Sequence, residues 1–248
     1  MKQSSEDEGR RKQARVRDEL DTAHLRPSFS IEKAHRTQIQ LSSRISPKDM
    51  MPRNIQTVAG VDVAYVQDTS IGATVLLDYS SMKVLEKHTA LSKTVFPYIP
   101  TLLSFREIPP AVLSAKKLQT EPDVFLVDGH GLAHPYKCGF ACHFGLVLNK
   151  PTIGVAKKRL FGLPEETESS EGVRPLKHEG QVVGATVETK KGCTPIYVSI
   201  GHMVSLETAI RIVRNCIYTS RTPEPIWKAH TLASQEKQKI NIASKPNR

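Results

Sequence analysis

The chain has 248 residues and a formal charge of +10, of which residues 1–50 and 235–248 supply +6, so a polyanionic partner is compatible with the body of the protein without being demanded by it. No window approaches the ~20 unbroken apolar residues of a membrane helix, and the charged first thirty residues lack the apolar stretch of a secretory signal. Four irregularly spaced cysteines are too few for a disulfide scaffold of this size, so we expect a soluble cytoplasmic protein with one α/β core.

Residues 1–20 are dominated by Lys, Arg, Gln, Glu and Ser, a composition that predicts disorder or weak helix. A single domain is expected over 21–234. Its first part, to residue 54, contains a mixed helical stretch without clear periodicity. At Thr57 the composition changes. TVAGVDVAYV (57–66) predicts a buried strand with Asp62 alone in an apolar run. A carboxylate there is costly unless something cationic meets it. Gly60, two residues earlier, suggests that another backbone comes close.

GATVLLDY (72–79) and 84–91 predict two further strands and hence an antiparallel meander. In FPYIP (96–100), prolines 97 and 100 bracket Tyr98 and Ile99, so the loop should be stiff and present an aromatic ring. Residues 101–119 have helical spacing, with a break or restart at Pro109 and Pro110 and with Glu107 just before it. On its own, Glu107 reads as a surface residue.

DVFLVDGHGLAHP (123–135) begins as a short aliphatic strand and ends on Asp128, followed at once by Gly129 and Gly131. A carboxylate at the C-terminal edge of a strand beside a glycine-rich turn lies where open α/β sheets place their chemistry. Alone, an Asp-Gly pair more often caps a turn. His130, His134, Cys138 and Cys142 recur every four residues, but Gly129, Gly131, Pro135 and Gly139 interrupt any regular helix, which argues against a zinc-binding face.

Residues 140–148 predict a helix and TIGVAK (152–157) a strand ending on Lys157. A polar loop is expected over 164–180, strands over 181–188 and 195–200, and an amphipathic helix over 206–216, with His202 between the last strand and that helix. Residues 235–248 show no core-forming pattern and predict a mobile basic tail.

If the fourth strand pairs with the first, Asp62 and Asp128 become neighbours. Crowded carboxylates repel unless a divalent cation neutralises them, and magnesium suits a few hard oxygen ligands. An ion held by Asp62 and Asp128, with Glu107 direct or through water, would serve phosphodiester hydrolysis. Lys157 is placed to stabilise phosphate charge, and His202 is a candidate proton donor or water-orienting group.

The sequence resembles the endonuclease V family through GVD (60–62), PYIP (97–100), LLSFRE (102–107), DGHGLAHP (128–135), GFACHFG (139–145), PTIGVAKKRL (151–160), SIGH (199–202) and RTPEP (221–225). The resemblance implies a ribonuclease H-like fold, a mixed sheet of three antiparallel strands plus parallel ones flanked by helices. It implies a monomeric DNA-repair endonuclease using Mg2+, with Mn2+ able to substitute, that cleaves the second phosphodiester bond 3′ to deoxyinosine; inosine in single-stranded RNA is the alternative substrate. By the same resemblance Asp62, Asp128 and Glu107 hold the metal, and Lys157 and His202 match further active-site positions. It implies that Pro97, Tyr98, Ile99 and Pro100 form a wedge that enters the duplex, and that the flipped base would sit near Gly129, Gly131, His134 and Gly139. Two residues depart from the family pattern: Thr101 stands where Gly follows the wedge, and Tyr136 where Arg often follows His-Pro.

Overall fold

The computed structural model describes residues 30–165 and 170–243. The expectations for residues 1–20 and for the last five residues of the tail lie outside that range. The described chain opens with helix α1 (Ile31–Ser42), whose first turn is capped by the Ser30 hydroxyl accepting from the Lys33 amide.

Three long strands follow, β1 (Thr57–Val66), β2 (Thr69–Asp78) and β3 (Val84–Lys93), paired antiparallel in sequence order as the meander expected from their short connections requires. Helix α2 (Leu103–Ala115) leads to β4 (Val124–Asp128), and α3 (Phe140–Leu148) to β5 (Thr152–Ala156). Both strands return parallel to their neighbours, as crossover connections require. The sheet is completed by β6 (Leu163–Pro164), β7 (Val173–His178), β8 (Gln181–Val187) and β9 (Ile196–His202), in the order β3-β2-β1-β4-β5-β9-β8-β7-β6. Helices α4 (Leu206–Asn215) and α5 (Glu224–Ala243) close the described chain.

Alternation along the central strands feeds two cores. Ala59, Val61, Phe125 and Val127 pack with Ala111, Phe140 and Phe144 of α2 and α3. Val58, Val124, Leu126 and Ile153 pack with Ile212 and Val213 of α4 and Ile226 and Ala229 of α5. Strands buried on both faces explain the near-continuous apolar runs at 57–66 and 124–127.

Three elements differ from the sequence-based expectation. α2 runs unbroken through Pro109 and Pro110. Its buried face, including Ala111 and Ala115, is held against Leu76 and Phe125, which keeps the segment in one piece despite the missing N–H donors. The segment expected as a polar loop contains β6 and β7; β7 is a strand through its ladder to β8, and of its side chains only Leu176 is fully buried, so it carries little apolar signal. Residues 235–243 belong to α5 and are not an irregular tail. The first half of α5 is anchored by Ile226, Ala229 and Ala233, and the Lys, Gln and Glu beyond it propagate a helix readily.

No helix among the described residues is long and apolar enough to cross a membrane.

Candidate active site

The parallel pairing of β1 and β4 sets Gly60 against Leu126 and Val61 against Val127, so the next step brings Asp62 beside Asp128. Both are at even-numbered positions of strands whose even-numbered residues face α5, and both side chains are largely buried, 12% and 17% exposed. The step that carries them together is therefore strand register, and a slip of one residue would send one carboxylate to the opposite face.

The third member of the cluster comes from α5. His230 Nδ1 lies 2.8 Å from Asp62 Oδ2, and ligand atoms of Asp62, Asp128 and His230 all fall within 4.8 Å of one another. Asp62 Oδ1 accepts from the Val63 amide at 2.8 Å, which fixes the carboxylate. The helix can lie this close because position 60 is glycine. A Cβ there would stand 1.9 Å from the Pro225 carbonyl oxygen, so the close approach expected at Gly60 is made by the first turn of α5.

Sequence reasoning missed His230, because its segment shows weak amphipathicity and no motif. The one available signal was the spacing from RTPEP, whose Pro225 places a helix start five residues before it.

Glu107 is not a surface residue. It is buried on α2, its Oε1 faces the Tyr65 hydroxyl at 3.5 Å, and its carboxyl is held well above the ordinary range by burial first, then by the charges of Asp62 and Asp128. It thus sits next to the cluster without sharing the tight set formed by the other three. Asp128 is likewise shifted up, by burial and by Asp62, against the opposing pull of Lys157. Lys157 donates to Asp128 Oδ2 at 2.9 Å from the end of the neighbouring strand. His230 is shifted up, chiefly by its hydrogen bond to Asp62.

The donor set fits a hard divalent cation. Two carboxylates and an imidazole converge, a third carboxyl is buried behind them, and the upward shifts of Asp128 and Glu107 mark a cluster short of positive charge.

His202 does not join it. β9 runs antiparallel to β5, so Thr152, at the start of β5, pairs with His202, whereas Asp128 pairs with Val155. The imidazole is thus about 10 Å away along the strand direction and two strands across. It is buried there, with Nδ1 accepting from the Ser46 amide at 3.2 Å, and burial holds its pKa down. This corrects its assignment as a proton donor.

Within the Pro97–Pro100 loop, Tyr98 projects with 60% of its surface exposed, Pro100 is exposed and Pro97 half-buried. Ile99 is instead buried against Ala34 of α1 and Leu102, so it anchors the loop rather than facing a ligand. Behind the loop, Arg106 stacks over the Tyr65 ring at 4.3 Å and reaches the Phe96 carbonyl at 3.4 Å. Gly129 follows Asp128 directly, its amide donating to the Val155 carbonyl at 3.0 Å. Gly131 and Gly139 are explained by backbone packing: the Gly139 amide donates to the Gly131 carbonyl at 3.1 Å, and a Cβ at 131 would meet the Ile200 carbonyl at 1.9 Å. His134 is buried, its Nδ1 accepting from the Tyr136 amide at 3.2 Å.

The chain is similar to known proteins in both sequence and structure. The family model of endonuclease V matches residues 39–231. Endonuclease V of Thermofilum pendens is 44% identical over 213 residues, covering 85% of this chain and 90% of the relative. The crystal structure of endonuclease V from Streptomyces avermitilis superposes with a TM-score of 0.80 at 33% identity, over 86% of this chain and 95% of that one. That of Ciona intestinalis endonuclease V, in complex with a 23mer DNA containing an inosine followed by a ribo-adenosine, does so with a TM-score of 0.75 at 33% identity, over 86% and 100%. The fold is ribonuclease H-like, and the chain belongs to the endonuclease V family.

Proposed function

We propose that this protein is a magnesium-dependent endonuclease that recognises deoxyinosine in DNA and hydrolyses the second phosphodiester bond on its 3′ side. The observation that carries the reading is the convergence of Asp62, Asp128 and His230 beside buried Glu107 and paired Lys157, in a chain of this family.

Magnesium, or manganese in its place, would be held by Asp62, Asp128 and His230 and would polarise the scissile phosphate and acidify a water. The rest falls to the chain. Lys157, 40% exposed, offsets the charge of Asp128 and offers its ammonium to a phosphate oxygen. Glu107, buried beside the cluster with its carboxyl pushed up by burial and its two acidic neighbours, offers a third carboxyl that a bound cation would draw toward its ionised form. Tyr98, exposed on a proline-braced loop, is suited to entering a base step, whose unstacking costs a few kcal/mol. The turn after Asp128 is then the natural receptor for the displaced base.

The test is end-mapped cleavage of inosine-containing and unmodified duplexes with and without magnesium. Magnesium-dependent nicks one nucleotide beyond the inosine, abolished by Asp128→Ala while binding persists, are the expected result. Equal cleavage of both duplexes, or full activity of that variant, overturns the reading. Inosine-containing RNA is the second substrate to include, since the Ciona intestinalis relative was crystallised on a strand with a ribo-adenosine after the inosine.

A further inference from the structure

Both departures from the family pattern, Thr101 and Tyr136, meet the same side chain. His35 of α1 stacks on the Tyr136 ring, with centroids 4.0 Å apart and planes 18° from parallel, and its Nε2 lies 3.1 Å from Thr101 Oγ1. One turn further along α1, Gln38 is fully buried and its Nε2 donates both to the Thr101 carbonyl at 2.8 Å and to the Cys138 carbonyl at 3.1 Å. Thr101 closes the wedge loop; Tyr136 and Cys138 belong to the segment that leads from Asp128 into α3. A single helix therefore ties the loop bearing Tyr98 to the turn beside the carboxylates.

Two features show that stability alone does not account for the tie. Thr101 has φ 70°, a left-handed conformation that β-branched residues rarely adopt, and it is held there by His35 and Gln38. Gln38 Oε1 is buried with no partner, so this amide satisfies its two acceptors while leaving its own oxygen unmet. Moreover, His35 and Gln38 precede residue 39, where the family match begins.

We propose that His35 and Gln38 are positioning residues that clamp the wedge hinge at Thr101 to the Tyr136–Cys138 lip, so that Tyr98 is set relative to Asp128 before nucleic acid binds and discrimination of the altered base depends on the clamp. This rests on the endonuclease reading for its kinetic consequence, not for the clamp itself. Fixing the wedge in advance removes an ordering cost from binding, so its loss should raise KM and erode specificity more than it lowers kcat.

The experiment uses the full chain as wild type, His35→Ala, Gln38→Met, and Gln38→Met combined with Thr101→Gly. The first readout, independent of activity, is the rate of limited proteolysis within residues 94–102. The second is kcat and KM on inosine-containing and unmodified duplexes. In His35→Ala and Gln38→Met, loop cleavage should quicken about tenfold, KM should rise about tenfold with kcat within about twofold, and the preference for inosine should fall. Glycine at 101 accepts the left-handed conformation without help, so the double variant should recover much of the lost preference. His35 is only half-buried, so its alanine variant keeps the test open should Gln38→Met not fold. Unchanged proteolysis in His35→Ala overturns the clamp. So do equal losses of kcat and kcat/KM, or no recovery at glycine 101. A wild type inert on inosine overturns the endonuclease reading, while the proteolysis arm still decides the clamp.

Discussion

Gly60 and Pro225 are in backbone contact: a Cβ on the glycine would stand 1.9 Å from the proline carbonyl oxygen. The last helix thereby rests directly on the first strand, and this contact lays His230 against Asp62. Gly60→Ala must displace α5. The expected outcome is a loss of about 1–3 kcal/mol in urea denaturation, as for other overpacked core sites. Nicking should fall at least about tenfold, because His230 moves with the helix. A variant as stable and as active as wild type would show that the helix can relocate without cost.

Charge crowding gives a second prediction. Asp128 and Glu107 are shifted up by burial and by acidic neighbours, so their folded pKa values exceed their unfolded ones. Such carboxyls favour the folded state below the unfolded value of about 4, and that contribution is lost as pH rises through the folded one. Metal-free protein should therefore be penalised on this account at neutral pH, and magnesium should lift the penalty. Thermal scans between about pH 5 and 8 should show a magnesium-induced rise in Tm that grows with pH. Asp128→Asn should raise Tm in chelator and remove most of the magnesium increment. An increment that is flat with pH and survives the substitution would place the ion elsewhere.

Lys157 is the one cation bonded to Asp128 among the described residues, at 2.9 Å. Lys157→Met should cost about 10²-fold in kcat, the scale of losing one preorganised charge-stabilising donor, with little change in inosine binding. A loss confined to KM would make it a binding contact only.

Much of the site was legible in the sequence because it is written in strand registers. Asp62 and Asp128 each interrupt or end an apolar run, and parallel pairing of those two runs was enough to make them neighbours. Glu107 on its own reads as solvent-facing, since helical spacing around two prolines does not show which face is buried; its burial follows from α2 lying flat on the sheet. His202 misled because a histidine at a strand end beside glycine looks catalytic whichever way the strand runs. Only the antiparallel pairing of β9 with β5 sends it to the far end. His202→Ala should accordingly leave nicking within about twofold, and cost about 1–3 kcal/mol by leaving the Ser46 amide without its acceptor. A hundredfold drop in kcat at undiminished stability would restore it to the chemistry. α5 and β7 were missed for a common reason: each is defined more by what it packs or pairs against than by its own periodicity.

The contact between Asp62 and His230 joins residues 168 positions apart. During synthesis the strands that carry both aspartates emerge long before the helix that completes the donor set. A chain that stops short of α5 thus presents a half-made centre, with both aspartates in place and the histidine that completes the cluster missing.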